Sequence, residues 1–371
     1  MNFSCEKSSL LDAILTTSKA TTAKSPLPAL DGLLIEASEA VHITGYDLKT
    51  GIRSKIAADI RMPGAIVLNA RLFGEIIRKL PEDIVSISVD DALAATISCG
   101  ISVFHIMGMP AEDFPALPVL ESEKSLRVPQ NTLKTMISET IFSVSTDESR
   151  PIHTGSLFEV ENGTLTVVSI DGFRLALRRT PLAETEADGI RFVVPGAALR
   201  EVEKIALNSE ELVKIDLGEK HIMFTIEDTI LISRRLEGEF LNYKQVIPQN
   251  KEFSVTVDRQ SLINCVERVS LIISEQLKSP VRCVFDETVL RFSVATPLGK
   301  AADACSISGD CAELEIGFNN RYLLDALKAA PADTLRLDMG SSTSPCVIRA
   351  ADGTEAFLYM ILPVRLRASE D

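Results

Sequence analysis

The sequence predicts an α+β protein made of three copies of one unit, each an antiparallel sheet with two helices on one face, an arrangement whose ends could join into a ring. Three observations lead there. An apolar helix stripe recurs twice, a second helix recurs in the same register, and alternating strands recur between the helices. A chain of 371 residues also exceeds one ordinary core.

The first stripe is Leu10, Ala13 and Ile14, an i, i+3, i+4 face that repeats as Leu133, Met136 and Ile137 and again as Leu262, Cys265 and Val266. Ser9 with Asp12 reads as a capping box at its start. The second helix is marked by Asn69, Phe73, Glu75 and Ile76, then Pro195, Leu199, Glu201 and Val202, then Asn319, Leu323, Asp325 and Ala326. Asparagine suits an N-cap and proline a helix start, so each copy carries an entry signal at the same point. Strands follow the same spacing: Val41 and Ile43 match Leu165 and Val167, then Leu290 and Phe292. The alternation Val85-Ile87-Val89 matches Val213-Ile215-Leu217, then Leu335-Leu337-Met339. Asn162-Gly163 between two runs is a hairpin turn, because both residues accept positive φ. Charged, proline-bearing stretches at 118–124 and 248–252 separate the copies, which places domains at 1–121, 122–250 and 251–371. If the rotation between like units is constant and their ends are complementary, chains join head to tail and can close into a ring.

Composition narrows the function. Hydrophobic residues make up 46% and charged residues 24%, with no run long enough to span a membrane and no leader-like start, so the expected setting is cytoplasmic, without membrane contact. Seven scattered cysteines without a Cys-x-x-Cys pair indicate neither a disulfide framework nor a zinc site. Phosphate loops, dinucleotide fingerprints, nucleophile elbows and zinc-protease motifs are all absent from the sequence, and the four histidines are isolated. Asp47 and Asp171 are the best metal-ligand candidates and support the competing reading, a three-domain Mg²⁺-dependent enzyme acting on nucleotides. They occupy equivalent positions in neighbouring copies, where the third copy has Thr296, so a strand-end turn role is expected instead. The expectation is therefore a protein with no catalytic residue, metal or cofactor.

Charge locates a surface. The net charge is −14, yet the six expected helices (8–20, 69–80, 131–143, 195–206, 260–274, 319–330) carry +3 together, which leaves −17 for the rest. The helices are then the surface that duplex DNA tolerates, through Arg71, Arg78, Lys79, Arg200, Lys204, Arg321 and Lys328, with Lys24 in the loop after the first helix.

Five segments then converge on one family. Leu27-Pro28-Ala29-Leu30 followed by Ile43-Thr44-Gly45-Tyr46-Asp47-Leu48, Ala111-Glu112-Asp113-Phe114-Pro115, Asp171-Gly172-Phe173-Arg174-Leu175, Phe240 to Pro248, and Leu362-Pro363-Val364-Arg365-Leu366 resemble, in order, segments of the β subunit of bacterial DNA polymerase III, the β sliding clamps. The resemblance spans nearly the whole chain. It implies a ring-forming DNA clamp, a head-to-tail homodimer around double-stranded DNA with each antiparallel sheet outside and its two helices on the inner face, that confers processivity on the polymerase III catalytic subunit. It also implies a pocket taking short peptides from polymerases, the clamp loader and repair proteins. By position that pocket comprises Ile170, Gly172, Phe173, Arg174, Leu175, Leu241, Val246, Leu362, Pro363, Val364, Arg365 and Leu366, rimmed by His153, Asn319 and Tyr322. Ile170, Phe173, Leu241 and Gln245 depart from the family's common Thr, His, Pro and Arg. Without the resemblance the same apolar residues read as filler of an interdomain core. The polar tail Arg367 to Asp371 extends past the family's usual end and is expected to be disordered.

Overall fold

The computed structural model describes residues 1–22, 25–121, 124–182, 188–249, 251–274, 279–310 and 313–366. Lys24 and the tail 367–371 therefore lie outside the described residues. Seven α-helices are present among those described: α1 (Lys7–Thr17), α2 (Ala70–Lys79), α3 (Gln130–Ser138), α4 (Gly196–Ile205), α5 (Tyr243–Val246), α6 (Arg259–Ser270) and α7 (Asn320–Ala329). All three expected stripes are buried, from Leu10 and Ile14 through Leu133 and Ile137 to Leu262 and Val266.

Two features differ from expectation. Several long helices are shorter than their apolar pattern: α1 gives way to a 3₁₀ turn at Ser18–Ala20, and a second such turn, Ile141–Ser143, follows α3. The capping box is also unused. Strand Asn2–Glu6 runs straight into α1, so Ser9 lies inside the helix, and Glu6 at the N-cap makes no side-chain cap bond. The strand hands over to the helix directly, as Phe253–Asp258 does to α6, where the cap residue Asp258 is used. The asparagine caps hold: Asn69 Oδ1 accepts the Leu72 N–H at 3.0 Å, and Asn319 Oδ1 accepts those of Arg321 and Tyr322. Asp258 caps α6 in the same way through the Ser261 N–H. Asn162 and Gly163 have φ of 51° and 71°, the left-handed pair their hairpin needs.

The chain divides into two compact units, one of residues 1–134 with 197–235 and one of residues 135–196 with 236–371. The first unit holds a five-stranded sheet in the order Asp59–Met62, Asn2–Glu6, Ile84–Val89, Ala94–Cys99, Ser102–Met107. It also holds an eight-stranded sheet in the order Lys124–Pro129, Leu212–Leu217, His221–Ile226, Thr229–Arg234, Thr50–Ile56, Val41–Tyr46, Gly32–Ala37, Gly64–Asn69. Helix α1 packs on Val41–Tyr46, Thr50–Ile56 and α2, closing a core around Phe3, Leu10, Ile14, Phe73 and Ile97. Each such side chain contributes about 1.5–3 kcal/mol on burial.

The second unit holds a twelve-stranded sheet in the order Arg191–Pro195, Gly155–Glu161, Thr164–Ile170, Arg174–Pro181, Phe357–Ile361, Cys346–Ala350, Thr334–Met339, Phe253–Asp258, Gly299–Asp310, Val289–Thr296, Val281–Asp286, Leu314–Phe318. Helix α6 packs against α7 and Gly299–Asp310. Both units contain a ladder between distant segments. Thr229–Arg234 lies antiparallel to Thr50–Ile56 with Leu231 opposite Ile52. Phe357–Ile361 lies antiparallel to Arg174–Pro181 with Met360 opposite Leu175. These ladders explain why the compact units cut through the middle sequence copy.

The Asn69→Ala variant loses both the cap on α2 and the hydrogen bond that Asn69 Nδ2 donates to Asp31 Oδ2 at 2.8 Å. It is expected to lower unfolding free energy by about 1 kcal/mol or somewhat more in urea titrations, with an unchanged m-value.

Candidate partner-peptide site and helix cations

Arg174 is the hub of the candidate site. Its side chain is about nine-tenths buried, with Nε 3.0 Å from Asp171 Oδ2, Nη1 2.6 Å from Asp325 Oδ2 on α7, and Nη2 donating to the Phe142 carbonyl at 2.6 Å. The guanidinium also lies over the Tyr322 ring, 4.4 Å from its centroid. Burying a charge this far is costly unless its donors are used, and here every nitrogen of the fork has an acceptor. Asp171 in turn closes its own loop, accepting the Phe173 and Arg174 N–H groups from one oxygen. Gly172 between them has φ of +91°, which favours glycine.

That frame presents Phe173, 58% exposed, stacked 6.0 Å from Tyr322. The terminal segment is tied alongside: Leu362 N–H donates to the Phe173 carbonyl, and Val364 N–H donates to Gly317, both at 2.8 Å. A Cβ at Gly317 would meet the Val364 carbonyl at 2.7 Å, so the segment can lie this close only against glycine. Leu362 to Leu366 line one wall of a groove of about 670 Å³, with Glu315, Ser342 and Thr343 opposite. Ile170 and Leu175 are buried, in one cluster with Phe240, Tyr243, Ile247 and Met360. They are placed to floor a site rather than to line its mouth. Leu241 and Val246, 41% and 37% exposed, flank that cluster around α5, and His153 meets Phe240 edge-on at 5.6 Å. Tyr243 anchors α5 by donating to Glu159 at 2.6 Å, and burial first, then that bond, pushes its phenol well above the ordinary range.

The structure thus brings Phe173, Arg174, Tyr322 and Leu362 into direct contact, and groups Ile170 and Leu175 with the neighbours of Leu241, Val246 and His153. Sequence reasoning missed Asp325, Phe142 and Gly317. Only Gly317 left a local signal, a glycine inside a strand pattern.

The cations expected on the helices are exposed. Three of them are paired: Arg71 with Glu75, Lys204 with Glu201 and Lys328 with Glu267. Arg78, Lys79 and Arg200 have no carboxylate partner among the described residues. Lys19, not foreseen, lines a groove with Lys204. Asp47, in the first unit, spends Oδ1 on the Lys49 and Thr50 N–H groups, so it and Asp171 each serve a turn. No group of three His, Cys, Asp or Glu side chains among the described residues could hold a metal.

Three family models match in order: the DNA polymerase III beta subunit N-terminal domain over residues 1–118, its central domain over 127–242 and its C-terminal domain over 244–365. A beta sliding clamp from Halalkalibacterium halodurans is 33% identical over 98% of this chain and all of its own length. The chain belongs to the DNA polymerase III beta subunit family. Among solved members, the Bacillus subtilis sliding clamp superposes with a TM-score of 0.94 at 32% identity, covering 99% of this chain and all of that one. A Pseudomonas aeruginosa clamp solved bound to griselimycin gives 0.94 at 27%, with the same coverage. Three beta-clamp domains of α+β type follow, in a family whose role in the polymerase is non-catalytic. The Mg²⁺-enzyme reading is not favoured.

His153 supplies a pH test of the frame. Burial, then Arg150, lowers its pKa below the usual 6.5. The unfolded chain then binds the proton more readily, so His153 opposes unfolding fully above about pH 6.5 and loses that contribution as pH falls toward its folded value. NMR titration should find the His153 midpoint below 6.5, and a His153→Asn variant should lose less melting temperature than the parent between pH 7 and 5.

Proposed function

We propose that this clamp-family chain encircles duplex DNA as a head-to-tail homodimer and tethers the replicative polymerase to it, holding polymerase III, clamp-loader and repair-protein peptides at the Arg174 site. The repeat boundaries proposed are 1–121, 122–250 and 251–371.

The observation that carries the ring is the pair of ladders between distant segments. The last strand of the second copy, Thr229–Arg234, pairs with Thr50–Ile56 of the first, and the last strand of the third, Phe357–Ile361, pairs with Arg174–Pro181 of the second. By the same rule Ser102–Met107 of the first copy needs a partner equivalent to Gly299–Asp310 of a third copy. Ser102–Met107 ends its sheet, with Ile101, Val103, Phe104 and Met107 exposed. Gly299–Cys305 is paired on one side only among the described residues, beside exposed Leu298. Two free edges of matching kind on one chain are what a second chain closes, and leaving such edges bare invites association.

DNA contact is assigned to Arg71, Arg78, Lys79, Arg200, Lys204, Arg321 and Lys328, with Lys24. Modest helix charge, partly neutralised by Glu75, Glu201 and Glu267, suits a topological link in which tight phosphate contacts would slow sliding. The peptide site is assigned to Gly172, Phe173, Leu241, Val246 and Leu362 to Leu366 over the floor of Ile170 and Leu175, with His153, Asn319 and Tyr322 at its rim. A peptide's leucine or phenylalanine buried there would contribute about 2 kcal/mol or more. The setting assigned is the cytoplasm, where a replication protein meets its DNA. No helix among the described residues is long and apolar enough to cross a membrane.

Sedimentation at micromolar concentration should give a dimer for the parent and a monomer for the double variant Phe104→Arg, Met107→Arg. A monomeric parent would count against the ring. Deleting residues 362–371 should abolish binding of a polymerase tail peptide in fluorescence anisotropy and leave the dimer intact. Removing 367–371 alone should leave affinity unchanged or slightly higher. Normal peptide binding by the longer deletion would overturn the site assignment.

A further inference from the structure

A second cavity, of about 360 Å³, lies in the second unit on strands Thr334–Met339 and Cys346–Ala350. Its electrostatics are unusual. Arg336 stands directly opposite Arg349 in the antiparallel ladder, a like-charge cross-strand pair that is destabilising in itself. Lys251 adds a third cation. One carboxylate serves all three: Asp338, 8% exposed, is 3.2 Å from Arg336 Nε, 3.6 Å from Arg349 Nε and 3.3 Å from Lys251 Nζ, and it also accepts the Ser254 hydroxyl at 2.7 Å. Glu355, exposed and 3.9 Å from Arg179, also lines the cavity. The lining therefore carries three cations against two carboxylates, one positive charge in excess, in a chain whose net charge is −14.

The donors are also underused. Both arginines spend Nε on Asp338, and their Nη groups have no acceptor among the described residues. Guanidinium edges of this kind match the oxygens of a phosphate in bidentate fashion. The rest of the lining mixes apolar Pro248, Pro345, Met339 and Val347 with polar Gln249, Ser344 and Glu355. A cavity of this size with convergent cations at one place and apolar residues beside them suits a small ligand that is anionic at one end.

We propose that this pocket binds a phosphorylated small molecule of the nucleoside-phosphate class, its phosphate held by Arg336, Arg349 and Lys251 and its uncharged part lying on Pro248 and Pro345. The ligand supplies counter-charge beyond that of Asp338 and Glu355, and the lining shares no residue with the Arg174 frame, although Val347 belongs to the cluster that holds Ile170 and Leu175.

Calorimetric titration of the full-length protein with ADP, inorganic phosphate and adenosine tests this. ADP should bind saturably, phosphate more weakly and adenosine not at all, and ADP affinity should fall with added salt. Arg349→Gln should weaken ADP by about tenfold or more, the loss of a charge-assisted contact. Because Arg349 is largely buried and that variant could misfold, Lys251→Gln, whose side chain is half exposed, provides the second test. It should weaken ADP roughly threefold while melting temperature and polymerase-peptide affinity stay at parental values. No saturable ADP binding, or parental ADP affinity in well-folded Lys251→Gln and Arg349→Gln, would overturn the site. Phosphate binding as tightly as ADP, or adenosine binding at all comparably, would overturn the ligand class.

Discussion

Main-chain pairing between sequence-distant strands is the constraint on which the rest of the structure depends. The ladder of Thr229–Arg234 on Thr50–Ile56 removes an exposed sheet edge from each of two copies at once, and that of Phe357–Ile361 on Arg174–Pro181 does the same for the next pair. Backbone donors at such an edge must be satisfied by something. A chain with three copies satisfies two such edge pairs internally; in the proposed ring a second chain would close the third, whose groups otherwise bond to water.

The second ladder also builds the candidate peptide site. Because Arg174 is opposite Ile361, the terminal segment emerges beside Phe173, and the Leu362 and Val364 amides fix its course. Arg174 then ties that strand to α7 through Asp325 and to the turn after α3 through Phe142. The exposed apolar residues Phe173, Leu241, Val246 and Val364 stand around this rigid frame, so a ligand there meets preorganised surface and little has to be ordered on binding.

Much of the fold was legible because it is local and repeated. The stripes at Leu10, Leu133 and Leu262, the caps at Asn69 and Asn319 and the turn at Asn162-Gly163 are short-range signals, and each occupies its expected place. The capping box at Ser9 misled because the strand Asn2–Glu6 hands over to α1 at Lys7, which puts Ser9 inside the first turn and Glu6 at the cap position. The ladders joining Leu231 to Ile52 and Met360 to Leu175 were not legible, since nothing local marks which distant strand an edge selects. The same holds for Asp325 as a partner of Arg174, 151 residues away. Residues of the candidate site came from resemblance. Their division into floor, frame and exposed rim came only from the three-dimensional structure.

Retention on DNA tests the central claim most directly. Clamp loaded by its loader onto a nicked circular duplex should stay bound through a moderate salt wash and be lost once the circle is cut, because a ring is released only over an end. Ordinary phosphate binding instead falls steeply with salt whether or not an end exists. Equal loss from circular and linear DNA would contradict the account.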